Sequence, residues 1–174
     1  MPLSLYEASI PGYLRMLRNL SAILDKAEAY AKANGIPLSA LAEARLAPDM
    51  HPLTRQIQMA SDGAKSGAAR LAGAEPPSFP DVETTFPELK ARLAKTIAYL
   101  ETIKPEQIDG GEERAIELKF PNGAMTFSGR DFLFHFSLPN FLFHVTTAYD
   151  VLRNKGVPLG KMDFLAGGQP QLAA

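Results

Sequence analysis

The sequence predicts an all-α bundle of four long helices, with one small β-hairpin between the third and the fourth. Three observations carry this reading. Apolar residues recur at three-, four- and seven-residue steps through four long segments. The first segment, residues 5–34, would be about 45 Å long at 1.5 Å per residue, which suits a bundle better than a compact α/β layer. Alternation of apolar and polar residues marks residues 115–127, around a Pro-Asn-Gly turn.

In the first helix, Ile10, Leu14, Leu17, Leu24, Ala27 and Ala31 form the stripe, while Arg15, Arg18, Asp25, Lys26 and Lys32 take other faces. Pro11 and Gly12 are expected to kink this helix or delay its start. Asn34-Gly35 and Pro37 stop it. Residues 38–46 give a short helical turn or two before Ala47-Pro48. The second long helix covers residues 51–71, with Pro52 in its first turn. Its stripe is Leu53, Ile57, Ala60, Ala64, Ala68 and Leu71. Together with Gly63 and Gly67 this is a face of small side chains. Such a face lets another helix approach closely, the commoner reason, or leaves room for a ligand.

Residues 72–81 form a proline-rich connection. The third long helix runs from Thr84 or Thr85 to Ile103, with Phe86, Leu89, Leu93, Ile97 and Leu100 inward. Thr85 and Glu88 have capping-box spacing, and Pro87 fits the first turn. A lone hairpin over residues 115–127 is marginal by itself, so it must lie on the bundle. Ser128 caps the last helix, with Asp131 at its third position, and the helix continues to Lys155. A kink is expected at Leu138-Pro139. Residues 157–167 are expected to be extended, packing Val157, Leu159 and Phe164 on the bundle. Residues 1–167 form a single domain, and residues 168–174 a flexible tail.

The 174 residues are 46% hydrophobic and 21% charged, with a net charge of −1. That is an ordinary globular composition, long enough for one substantial core. The charge balance gives no field that would draw in nucleic acid or an anionic membrane. There is no cysteine, which excludes disulfides, thiolate metal sites and a cysteine nucleophile. The first twelve residues lack the basic and apolar regions of a signal peptide, and no window approaches a membrane span. A cytoplasmic protein is expected.

Two of the three histidines lie in the last helix. His144 and Asn140 are four residues apart and share a face. Bundles present two ligands to one metal ion at this spacing, so His144 would bind a divalent metal or a substrate with Asn140 beside it. The plainer alternative is a half-buried histidine bonded to a backbone carbonyl or a tyrosine. His135, nine residues earlier, points to a nearly opposite helix face, and His51 reads as a surface residue at a helix start. Asp62 sits mid-helix among the small residues, with Gln58 before it and Lys65 after it. It is either a carboxylate turned into the bundle opposite His144, as ligand, base or orienting group, or half of an exposed pair with Lys65 or Ser66. Tyr149 is a candidate buried phenol near the same centre. Gln58, Arg153 and Lys161 are candidate substrate contacts. Carbonyl capping for Arg153 and simple solvation for Lys161 are the plainer roles. No glycine-rich phosphate loop, serine elbow or HExxH zinc motif occurs.

Leu138-Pro139-Asn140-Phe141, Phe143 to Tyr149 (FHVTTAY), Leu152-Arg153, Gly156-Val157-Pro158 and Gly160-Lys161 resemble the signature of an uncharacterised bacterial family in the DinB/YfiT-like superfamily. Gln56 to Lys65 (QIQMASDGAK), Ala69 to Gly73, and Glu88-Leu89 to Lys95-Thr96 extend the resemblance over nearly the whole chain. It implies an up-down four-helix bundle, often a homodimer. It also implies a divalent metal held by three histidines, one from the second helix and two from an H-x-x-x-H pair on the last. Some members of the superfamily are transferases or isomerases. Here the pair reads Asn140-x-x-x-His144, and the second-helix position carries Gln58 or Asp62. Losing two neutral imidazoles removes most of the affinity for zinc or nickel. His144, Asn140 and Asp62 would then hold either a weaker oxygen-preferring ion or no metal at all, and the metal-free polar cluster is the expectation. The corresponding functions are a small-molecule transferase or hydrolase, or a non-catalytic small-molecule-binding or dimerising scaffold.

Overall fold

The computed structural model describes residues 3–168. Four long helices make a bundle: α1 (Leu5–Asn34), α3 (Leu53–Leu71), α4 (Phe86–Thr102) and α7 (Leu138–Asn154). A short α2 (Leu38–Ala42) precedes α3, and a short α5 (Pro105–Ile108), not anticipated from the sequence, follows α4. Strands β1 (Ile116–Phe120) and β2 (Gly123–Phe127) pair antiparallel, with Ile116 opposite Phe127 and Phe120 opposite Gly123. The flexible tail expected at residues 168–174 falls, from residue 169 onward, outside the described residues.

The apolar stripes set the core. Ile10, Leu17, Leu24, Ala27 and Ala31 of α1 are buried, as are Leu53, Ile57, Ala60, Ala64, Ala68 and Leu71 of α3. Phe86, Leu89, Leu93 and Leu100 of α4 complete three walls, and Phe141, Val145, Ala148 and Leu152 of α7 the fourth. Pro11 does not delay α1. Ser4 Oγ accepts the Glu7 N–H and the Glu7 side chain accepts the Ser4 N–H, so the first turn is fixed upstream of the proline. Thr85 and Glu88 cap α4 as their spacing predicts. In the hairpin, Ile116 and Leu118 turn inward on the bundle while β2 is largely exposed.

Two departures have clear causes. A short α6 (Gly129–Asp131), capped by Ser128, leads into a π-helical stretch, Phe132–Ser137, before α7. The Leu138 N–H reaches back five residues to the Leu133 carbonyl. At the site of the kink expected around Leu138-Pro139 the helix widens into a π turn, just before a residue that has no N–H to donate. Beyond Gly156, residues 161–166 are not extended but form α8 (Lys161–Ala166). Asp163 accepts the Gly160 N–H at 2.8 Å and an ion pair from Lys26, and Asn19 Nδ2 donates to the Phe164 carbonyl at 2.8 Å. These side-chain contacts with α1 stabilise a helix of only six residues, which propensity alone would not hold. Val157 and Leu159 are buried, and Phe164 packs against the core.

Candidate functional site: a cleft between the second and last long helices

Residues of α3 at helical steps form one wall of a cleft of about 360 Å³: Met59, Asp62 with Gly63, Ser66 with Gly67, and Arg70. The π-helical turn and α7 supply Phe132, Phe136, Ser137, Asn140 and His144 opposite. Strand β1 closes one side with Leu118, Lys119 and Phe120. Both readings of the small-residue face meet here. A methyl at Gly67 would lie 2.3 Å from Ser137 Oγ, so close approach requires glycine, and the same residue lines the cleft. Beneath it, the buried Tyr13 hydroxyl and Ser137 Oγ are 2.7 Å apart. Burial pushes the Tyr13 phenol above its ordinary range, so it stays neutral.

His144 is half-buried, and its Nδ1 lies 2.9 Å from Gln56 Oε1. Gln56 Nε2 donates to the His51 carbonyl at 3.3 Å, which leaves its oxygen facing the imidazole. An amide oxygen only accepts, so Nδ1 carries the proton and Nε2 keeps its lone pair. Burial pushes the His144 pKa below the usual 6.5, and the nearby His51 and Arg55 push it the same way. The ring is therefore a neutral imidazole at pH 7. Its partner is a glutamine side chain, rather than the carbonyl or tyrosine that the simplest sequence reading offers.

Asp62 borders the same cleft but makes no bond to His144. Its Oδ1 accepts Lys65 Nζ at 2.8 Å and Arg92 Nη2 at 2.8 Å. Arg92 is buried, and its guanidinium also reaches Ser61 Oγ at 3.0 Å, the Pro80 carbonyl at 3.0 Å, and the carboxylates of Glu83 and Asp81 at 3.0 Å. Thr96 donates to the Arg92 carbonyl, so Ser61 donates to Thr96 Oγ1 while accepting from Arg92 Nε. This network fixes the proline-rich connection against α3 and α4. It also sets the charge of Asp62 against two cations.

Residues 5–165 match the model of a family described as a domain of unknown function (DUF1993). The chain belongs to the DUF1993 family. Its fold is similar to that of a DinB family member from Shewanella denitrificans, whose crystal structure matches with a TM-score of 0.87 at 39% identity. That match covers 98% of this chain and 96% of the other. No curated protein matches the chain.

In this DUF1993 protein the remaining sequence candidates lie apart from the cleft. Tyr149 is half-buried, with its ring 6.1 Å from that of Phe164 in α8. Gln58 is buried in the Arg92 neighbourhood. Its Nε2 donates to Glu83 Oε2 at 3.1 Å and its Oε1 accepts from Arg55 at 3.2 Å. Arg153 is exposed and reaches the Val157 carbonyl at 3.4 Å, beyond the end of α7. Lys161 is exposed at the start of α8. His135 is exposed, 3.8 Å from Asp131, and His51 is exposed ahead of α3.

The sequence reading passed over Gln56, Arg92, Arg70 and Lys119. Arg92 had a legible signal: it falls on the buried stripe between Leu89 and Thr96, where a cation must find anions. Gln56 had none, since its partner is 88 residues away. Among the described residues no group of three or more His, Cys, Asp or Glu is placed to hold a metal ion. No described helix is long and apolar enough to cross a membrane.

Proposed function

We propose that this DUF1993 chain binds a small organic molecule in the cleft without a resident metal, and that the neutral His144 presents Nε2 to it. The observation that carries this reading is the His144–Gln56 bond, which fixes the tautomer of a cleft-lining ring and leaves Nε2 unprotonated. The donor set does not suit a divalent ion. Asp62 Oδ1 already holds Arg92 and Lys65, whose charges repel a cation, and Asn140 is a weak ligand. A metal there would have one imidazole nitrogen and an amide oxygen in place of three imidazoles.

A catalytic form of the same reading, a transferase or hydrolase with His144 as general base, is favoured by the available lone pair on a fixed imidazole. The purely binding form is favoured by the engagement of Asp62 with Arg92 rather than with His144, which leaves the histidine without a carboxylate partner. We also carry the homodimer into the proposal. Phe134, Leu142 and Phe143 are exposed along the last helical segment, and a second copy would cover them.

Elemental analysis of tag-free protein tests the metal-free claim, together with melting curves in added zinc, nickel or manganese. The expected result is a substoichiometric metal content and no rise in Tm. A stoichiometric metal that disappears in His144→Ala would contradict it. Screening a mixed fragment set by NMR tests the cleft. Shifts confined to residues around His144, Asn140 and Gly63 are expected, and a set that moves none of them would overturn the reading.

A further inference from the structure

The charges and walls of the cleft narrow the ligand further. The charged side chains bordering it are Asp62, Arg70 and Lys119. Asp62 is offset by Arg92 and Lys65. Arg70 has no such partner. It is half-buried, its one hydrogen bond among the described residues is a long 3.5 Å contact to the Ser66 carbonyl, and it makes no ion pair there. Lys119 lies 3.7 Å from Glu117, an exposed pair of little energetic weight. Arg70 and Lys119 also border the adjoining groove, where Glu75 and Glu117 stand without an ion pair to Arg70. A half-buried guanidinium with a free fork is a carboxylate receptor.

Between Arg70 and His144 an aromatic wall stands beside the polar side chains of Asp62, Ser66, Ser137 and Asn140. Phe132 and Phe136 stack at 6.0 Å, Phe120 meets Phe136 edge-on at 6.4 Å, and Leu118 lies beside them. Along α3, Met59 to Arg70 spans about 16 Å at the helical rise. The site thus has a cationic end, an aromatic middle and a neutral hydrogen-bond acceptor at the far end.

We propose that the ligand is an organic carboxylic acid with an apolar body, aryl or medium-length alkyl, bound with its carboxylate on Arg70 and Lys119 and its body against Phe120, Phe132 and Phe136. This rests on the cleft-binding reading above and adds the chemical class. At the His144 end the acceptor Nε2 favours a ligand that carries a hydrogen-bond donor there.

The test is calorimetric titration of the purified full chain with phenylpropanoate, cinnamate and octanoate, each against its matched primary amide. The acids should bind at least about tenfold more tightly than the amides, and Arg70→Gln should erase that preference while leaving the fold intact by circular dichroism. Lys119→Gln should weaken the acids less, added salt should weaken them further, and Lys32→Gln, on the far end of α1, should change nothing. Amides that bind as well as acids, with shifts still at His144, would overturn this inference and leave the cleft reading standing. An acid preference that survives Arg70→Gln would overturn it too. So would the absence of binding by every acid, in which case the mixed fragment set decides whether the cleft reading falls with it.

Discussion

His144 Nδ1 and Gln56 Oε1 lie 2.9 Å apart across the interface of α7 and α3, and this bond decides which nitrogen of a cleft-lining imidazole carries the proton. Two residues 88 positions apart are joined here by one polar contact inside a largely apolar seam. Its consequences extend to pH.

Burial holds the His144 pKa below the 6.5 of an exposed imidazole, so the unfolded chain takes up this proton more readily than the folded one. The associated stability is complete above about pH 6.5 and is lost as pH falls through the folded value. Urea unfolding from pH 8 down to pH 5 should show this decline, and His144→Gln should remove that component. Gln56→Glu should raise the His144 pKa measured by NMR, because a carboxylate favours the imidazolium.

Arg92 is buried among Asp62, Asp81 and Glu83. Arg92→Leu leaves three carboxylates facing one another and should cost about 3–5 kcal/mol in urea unfolding. Asp62→Asn keeps an acceptor for Arg92 at a partly exposed position and should cost only about 1 kcal/mol.

A methyl at Gly67 would sit 2.3 Å from Ser137 Oγ and 2.9 Å from the Tyr13 hydroxyl. Gly67→Ala should therefore destabilise the chain by about 1–3 kcal/mol. Ser137→Ala, which strips the buried Tyr13 hydroxyl of its partner, should cost about 1–3 kcal/mol. The double variant should cost less than the sum, since both changes break one contact.

Asp163 anchors α8. Burial raises its pKa, but the hydrogen bond from Lys26 and the Gly160 N–H outweigh it, so the carboxyl titrates below its usual 3.8. Its contribution is present above that value and lost as pH falls through the folded pKa. Asp163→Asn should destabilise by about 1.5–3 kcal/mol at pH 7 and should increase hydrogen exchange in residues 161–166 first.

Much of the fold was legible because it rests on local rules. The stripes of α1, α3 and α4, the Thr85–Glu88 cap and the hairpin turn each follow from residues within a few positions of one another. α8 was not legible, because the contacts that hold the helix come from Asn19 and Lys26 of α1. The cleft was half legible. Helical spacing put Asn140 and His144 on one face, and the small residues of α3 opposite them. Spacing could not show that Asp62 would be taken by Arg92 or that His144 would meet Gln56. Nor could it rotate Tyr149 toward Phe164, since these outcomes depend on how four helices are turned against one another.

Long-range proton–nitrogen NMR of the His144 ring at pH 7 reads both its tautomer and any metal bound to it. The expected spectrum is that of the tautomer protonated on Nδ1, with Nε2 bare and neither nitrogen shifted by a metal. A ring protonated on Nε2, an imidazolium, or a nitrogen showing metal coordination would contradict it.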